Sequence, residues 1–247
     1  MNTKSLEKQS NKYRYELFDK FVKIKQGHPG SIFSILDFLT VLFHKKYINI
    51  KAKKVTDKII ISKGHATSAL YPIYKKFNII KEEDWDNWGT GKKSCLRIFG
   101  NISIPGIHCT TGSLGHGLGV AAGIATANLK NRINQKIYVI ISEGELYEGS
   151  TWETLLFIAN YKLNNIKIII DVNNLIILGK TDECLKLNPI EKKIKGFGFS
   201  VKSIDGHNFL ALNKYCKKLS NGSLQCLIIN TIKGKGLSMM EDRPVWH

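Results

Sequence analysis

Glu143 and Gly144 stand just after an apolar run, Ile137 to Ile141. Asn173 lies thirty residues beyond Glu143, directly after a second apolar run, Ile166 to Val172. A carboxylate, an amide oxygen and a backbone carbonyl, for which Leu175 is well placed, form a hard oxygen donor set of the kind that holds a divalent cation. Mg²⁺ keeps waters and binds through few protein ligands, the rest coming from the phosphates of a substrate or cofactor. The chemistry to which these residues point is a Mg²⁺–diphosphate site. On spacing alone, ordinary loop residues following two strands would read the same way.

For the two side chains to meet, the apolar runs must be neighbouring strands of one βαβ unit, with their ends at one sheet edge. The rest of the chain supplies such a frame. A helix is expected over 4–26, with Leu17, Phe21 and Ile24 on one face, then a break at Gly27-His28-Pro29-Gly30. A second helix over 31–46 turns Ile32, Ile35, Leu36, Leu39 and Phe43 inward. Ile59 to Ile61 reads as a short buried strand ending at Ser62-Lys63-Gly64-His65, followed by a helix to about Phe77. Residues 79–111 read as irregular, and 115–129 as a helix of small residues able to approach a neighbour closely. Ser150-Thr151-Trp152-Glu153 has the capping-box pattern and opens a helix to about Lys162. A helix at 189–195, a strand at 199–204, a helix at 208–219 and a strand at 224–230 follow. Strands that alternate with helices and lack polar alternation predict an α/β fold, a parallel sheet with helices on both faces, in a single domain over 1–247. Ligands of such sheets bind where strands end, here the loops 62–65, 142–149 and 171–181.

The chain has 247 residues, 43% hydrophobic and 23% charged, which excludes disordered, collagen-like and coiled-coil proteins. No apolar run approaches the roughly 18 residues of a membrane span, and the first 26 residues, polar and lysine-rich without an apolar core, are not expected to act as a secretory leader. A net charge of +17 would suit a polyanion, but the lysines are dispersed and not interleaved with aromatics, so nucleic acid is not an expected partner. A phosphorylated substrate is compatible with that charge. Cys95, Cys109, Cys184, Cys216 and Cys226 are odd in number and form no CxxC pair. They predict a reducing, cytoplasmic setting, with each thiol a small buried hydrophobe.

The segment Glu143 to Asn173 resembles the thiamine diphosphate motif, Gly-Asp-Gly followed after about 30 residues by Asn. The text Gly144-Glu145-Leu146-Tyr147-Glu148-Gly149-Ser150-Thr151-Trp152-Glu153 resembles transketolases in particular. So do Gly27-His28-Pro29-Gly30, Ser62-Lys63-Gly64-His65-Ala66, Thr111-Gly112-Ser113-Leu114-Gly115-His116-Gly117 and Trp246-His247. The chain is similar to the N-terminal half of a split transketolase, the half that binds the cofactor diphosphate. The resemblance implies thiamine diphosphate with Mg²⁺, for which Ca²⁺ or Mn²⁺ can stand in. It implies that Glu143 and Asn173 ligate the metal by side chain and Leu175 by its carbonyl. Gly144, Glu145, Asn173 and His65 would contact or neighbour the cofactor, and Gly112, Ser113 and Leu114 would line its thiazolium channel. His28 and His247 would face the donor sugar and shuttle protons, and Glu148 would couple to the partner's catalytic glutamate. No segment resembles the pyrimidine-binding half that carries this glutamate. A C-terminal transketolase subunit is therefore an expected partner, in a heterotetramer of two pairs acting on a sugar or sugar phosphate. The reaction implied is transfer of a two-carbon ketol unit from a ketose to an aldose. Alternatives are a related thiamine diphosphate enzyme building a branched or unusual sugar, and a non-catalytic scaffold subunit. His116 and His207 read as structural.

Two departures stand out. The family's Gly-Asp-Gly is Ser142-Glu143-Gly144 here, with a carboxylate one methylene longer and a Cβ at the turn. Many members also carry Gly-His-Pro upstream of the 112–114 loop. This chain has Phe99-Gly100-Asn101-Ile102 there and lacks the histidine, with His108 nearby but not at the matching place.

Overall fold

The computed structural model describes residues 1–223 and 225–243. Helices α1 (Thr3–Ile24) and α2 (Pro29–His44) lead into a hairpin of β1 (Ile50–Lys51) and β2 (Lys54–Val55). Strand β3 (Lys58–Ile61) is followed by a 3₁₀ helix over Gly64–Leu70 and by α3 (Tyr71–Lys76), then α4 (Glu82–Asn87) and α5 (Gly117–Lys130). Strand β4 (Ile137–Ser142) runs into a 3₁₀ turn, Glu143–Tyr147, and α6 (Gly149–Asn160). Strand β5 (Ile166–Val172) precedes a small hairpin of β6 (Leu175–Ile176) and β7 (Gly179–Lys180) and the short α7 (Thr181–Cys184). The last described elements are α8 (Ile190–Gly196), β8 (Val201–Asp205), α9 (Phe209–Ser220) and β9 (Cys226–Asn230).

Five strands form one parallel sheet in the order β3-β4-β5-β9-β8. The central strands are apolar on both sides because both sides are covered. Ile59, Ile61, Tyr138, Ile140, Ile169, Leu227 and Ile229 face one core, shared with α1, α2 and α9. Ile60, Val139, Ile141, Ile168, Ile170 and Ile228 face the other, shared with α5, α6 and α8. From β3 to β5 the chain advances across the sheet with its crossover helices α5 and α6 on one face. It then skips to the edge strand β8 and returns to β9. A right-handed crossover made in the reverse direction must lie on the opposite face, and α9 does. The reversal leaves a crevice at the carboxyl ends of β5 and β9, where open α/β sheets bind ligands.

The expected α/β frame is present, with local corrections. Helix α2 is not amphipathic but buried all round, Gly30 to Phe43, including Ser34, Asp37 and Thr40. It is sandwiched between the sheet and α1, so its pattern could not show a solvent face. Helix α6 begins at Gly149 with Glu148 as its N-cap, and Ser150 does not cap it, because its hydroxyl donates to the Gly115 carbonyl at 3.0 Å. The capping box is instead Ser142 with Glu145, closing the turn after β4. Within the small-residue helix α5, Gly117 makes the close approach, packed against Ser62, while Gly123 meets nothing. The irregular stretch contains α4, and the β6–β7 hairpin falls in a segment read as loop. Of the cysteines, Cys216 and Cys226 are buried, but Cys184 is exposed on α7 rather than packed. Among the described residues no helix is long and apolar enough to cross a membrane.

Candidate functional site

The ends of β4 and β5 are adjacent, with Ser142 opposite Asp171 in register. Glu143 therefore follows β4 at the point where Asn173 follows β5, and the two meet: Glu143 Oε1 accepts from the Asn173 backbone N–H at 3.0 Å. Glu143 is 3% exposed. Burial, then the nearby Asp171 carboxylate, push its pKa up to about 7, while the N–H groups of Asn173, Asn174 and Leu175 draw it down. Asn173 is buried, with Oδ1 accepting from Leu175 N–H at 3.2 Å and Nδ2 donating to Asp171 at 3.4 Å. Asn174 takes a left-handed φ of 60° to turn the chain at this point.

These residues form one wall of a cavity of about 470 Å³. His28, His65, Gly112, Leu114, Gly144, Glu148 and Leu175 also line it, so most of the expected site residues are brought together. His28 comes from the turn before α2, and its ring centroid lies 5.5 Å from that of His65 and 5.5 Å from that of Phe99. Burial, then the Lys233 charge, lower the His28 pKa and favour the neutral ring. The loop carrying Gly112 is held by a close backbone approach, since a Cβ on Gly64 would lie 2.5 Å from the Thr111 carbonyl carbon.

Two expected contacts do not line this cavity. Ser113 is not among the cavity-lining residues. Glu145, read as a cofactor contact, is fully buried behind the site: its carboxylate accepts from the Ser62 hydroxyl, from Gly115 N–H at 3.0 Å and from Ser142 N–H at 2.9 Å. Its oxygens tie together the ends of β3 and β4 and the loop before α5. His247 lies outside the described residues.

The sequence reading missed a set of buried charges on the cavity wall. Asp171, 0% exposed, pairs with Lys63 Nζ, 1% exposed, at 2.5 Å. It also accepts from Ser34 Oγ at 2.8 Å and Thr231 Oγ1 at 2.5 Å. Lys233, 1% exposed, follows β9, and burial with the Lys63 charge lowers its pKa to about 8. The usable signal was β9 itself: its end lies beside that of β5, so its loop belongs with the other three as a place for ligand contacts. Phe99 also lines the cavity, 44% exposed, in the segment where the sequence lacks the expected histidine.

Among the described residues no cluster of three or more His, Cys, Asp or Glu is arranged to hold a metal. A cation here would rest on one carboxylate, the amide and carbonyl oxygens of Asn173 and Leu175, and a ligand's own phosphates. A hard divalent ion suits that donor set, as does a buried carboxylate with a second carboxylate beside it.

Residues 6–243 match the family described as the transketolase thiamine diphosphate-binding domain. The chain is 34% identical over 252 residues to one subunit of the apulose-4-phosphate transketolase of Phocaeicola vulgatus, covering 100% of this chain and 89% of that protein. It is 33% identical to the 6-deoxy-6-sulfo-D-fructose transketolase subunit SqwG of a Clostridium species, covering 98% of this chain and 90% of that one. The crystal structure of transketolase from Campylobacter jejuni superposes with a TM-score of 0.90 at 30% identity; it covers all of this chain, which spans 40% of the longer enzyme.

Proposed function

The chain belongs to the transketolase family through its thiamine diphosphate-binding domain, and on that premise we propose that it works with a separate C-terminal subunit in transferring a two-carbon ketol unit from a ketose to an aldose. The observation that carries this reading is the meeting of Glu143, Asn173 and Leu175 at two adjacent strand ends, on the wall of the cavity that His28, His65, Gly112, Leu114 and Gly144 also line. In this reading Glu143, Asn173 and the Leu175 carbonyl hold Mg²⁺, or Ca²⁺ or Mn²⁺ in its place, and Gly144 gives the diphosphate a wall without a side chain. Lys233, a buried cation on the same wall, suits the negative charge of a diphosphate. Thiamine diphosphate, when bound, supplies the nucleophilic carbon and holds the electron pair released by C–C cleavage. His28, kept neutral by burial and by Lys233, offers a ring nitrogen as acceptor for a substrate hydroxyl proton. His65 stands beside it, and His247 is proposed as a second proton carrier. Glu148, on the cavity wall at the start of α6, is proposed to couple to the partner's glutamate.

Several of the relatives are themselves named as single subunits of transketolases, which supports a partner chain; we propose two such pairs in a heterotetramer in the cytoplasm. Phe99 favours a second reading. An exposed aromatic edge packed on His28 withdraws a polar contact from the substrate's reacting end, which suits a branched or unusual sugar. Calorimetry with thiamine diphosphate and Mg²⁺, on this chain by itself and with the partner, followed by turnover assays, tests the proposal. Binding of the cofactor's diphosphate by this chain is expected, with ketol transfer in the reconstituted pair only. Robust transfer by this chain alone, or no cofactor binding by the pair, refutes it.

A further inference from the structure

Lys233 stands on a segment with no regular structure, so something must fix it against the cavity. Thr231 N–H donates to the Val172 carbonyl at 2.8 Å, and Gly234 N–H to the Gly30 carbonyl at 2.9 Å. Between them, Ile232 N–H donates to His207 Nε2 at 2.9 Å. That bond sets the histidine's tautomer, since a backbone amide only donates and Nε2 must accept. The ring proton therefore sits on Nδ1, which lies 2.8 Å from Asp37 Oδ2 and donates to it. Asp37, buried in α2, is in turn held through Oδ1 by Arg14 at 2.7 Å and by Ser10 Oγ at 2.5 Å, both from α1. The His207 backbone N–H donates to Asp205 Oδ1 at 2.8 Å, which anchors the ring's base at the end of β8.

We infer that His207 is a positioning residue for Lys233, transmitting the fixed geometry of α1 and α2 through Asp37 to the Ile232–Lys233 backbone, so that the Lys233 ammonium stands ready for an anionic group in the cavity. This rests on the reading of the cavity as a diphosphate site. The placement matters because Lys233 is buried near a second cation, Lys63. In so dry a site the attraction for an anion falls steeply with misplacement. His207 itself never touches the ligand.

Two conservative variants separate positioning from simple structural pairing. His207→Asn keeps a donor near the Nδ1 position for Asp37 but has no atom that reaches Ile232. His207→Gln places an amide oxygen near Nε2 for the Ile232 N–H but gives up the aligned bond to Asp37. With the full chain and Mg²⁺, binding of inorganic diphosphate is measured by calorimetry. His207→Asn is expected to weaken binding about 10-fold and His207→Gln less than about 3-fold, the range of one hydrogen bond lost or kept; Lys233→Met should weaken it at least as much as His207→Asn. A purely structural histidine gives the reverse order, Asn tolerated and Gln harmful, and that order overturns the inference. So does wild-type affinity in His207→Asn or in Lys233→Met. A wild-type chain that ignores diphosphate refutes the diphosphate reading and the inference together, which distinguishes the two failures. Nitrogen-15 NMR of the wild type gives a check free of folding artefacts. The Nδ1–H tautomer of His207 is expected, and Nε2–H would overturn the assignment.

Discussion

Lys63 and Asp171 form an ion pair that solvent does not reach, 1% and 0% exposed and 2.5 Å apart. Lys63→Met keeps much of the side chain's length and removes its charge. Asp171 then retains Ser34 Oγ at 2.8 Å, Thr231 Oγ1 at 2.5 Å and Asn173 Nδ2 at 3.4 Å. Stranding one member of a buried pair costs about 3–5 kcal/mol. Because hydrogen bonds to a charged group contribute about 1.5–3 kcal/mol each and these survive, the expected loss lies near the lower end, about 3 kcal/mol. A total stability of about 5–15 kcal/mol leaves the variant folded, with Tm lower by about 6–12 °C at this chain length. The same reasoning makes a sharper claim. The double variant Lys63→Met/Asp171→Asn removes the carboxylate that Lys63→Met strands and leaves Glu143 facing Lys233, so it should be more stable than Lys63→Met alone. Urea and thermal unfolding of both single variants and the double give the full cycle. A Lys63→Met loss below about 1 kcal/mol, the range of an exposed pair, or strictly additive single effects, would falsify the argument.

Three further outcomes are expected. Glu145→Gln puts an amide NH₂ where Ser62 O–H, Gly115 N–H and Ser142 N–H all donate; one donor loses its acceptor, at about 1–3 kcal/mol, and unchanged thermal unfolding contradicts the reading of Glu145 as the tie between three loops. Gly64→Ala forces a Cβ against the Thr111 carbonyl carbon, which should cost about 1–3 kcal/mol and weaken thiamine diphosphate binding by shifting the 111–114 loop; a crystal structure of the variant with that loop unmoved refutes it. His108 is held down to about 4, from 6.5, by burial first and then by the Lys58 charge. The folded state thus resists a proton that the unfolded chain accepts, so this contribution is complete above pH 6.5 and drains away as pH falls towards 4, by about 3 kcal/mol in all. Urea unfolding between about pH 7.5 and 5 should show a steeper loss for the wild type than for His108→Asn, and parallel profiles exclude the effect.

Much of the frame was legible because its signal is local. Ile137 to Ile141 and, within the second run, Ile168 to Ile170 are apolar on both faces, the pattern of a doubly covered parallel strand, and both strands lie where expected. From their ends the Glu143–Asn173 meeting followed. The buried charges did not announce themselves. Lys63 and Asp171 are 108 residues apart, and nothing in either neighbourhood shows that one neutralises the other. Glu145 was misread for a related reason. A carboxylate two residues from Glu143 looks like part of the same ligand set, yet the tight turn after β4 rotates it backwards onto Ser62 and Gly115. Ser150-Thr151-Trp152-Glu153 satisfied a capping rule that rests on spacing alone. Its serine was already committed to the Gly115 carbonyl by packing that no short motif encodes.

The location of the charges follows from the winding of the chain. Had it continued outward after β5, the next strand end beside Asp171 would have belonged to a strand reached directly, with a crossover packed over the gap. Skipping to β8 and returning to β9 over the other face leaves no crossover joining β5 directly to β9, and puts Thr231 and Lys233 beside Asp171 and Asn173. A dry crevice that is to take a doubly charged tail needs fixed positive groups, and an isolated cation in such a place is costly. The cluster answers both demands. Asp171 neutralises Lys63 and, with Glu143, offsets part of the cost of burying Lys233, so the wall stays folded while empty and still presents positive charge to an anion. The arrangement is therefore preorganised at the level of topology: moving β9 to the edge would remove the crevice and strand the same charges together.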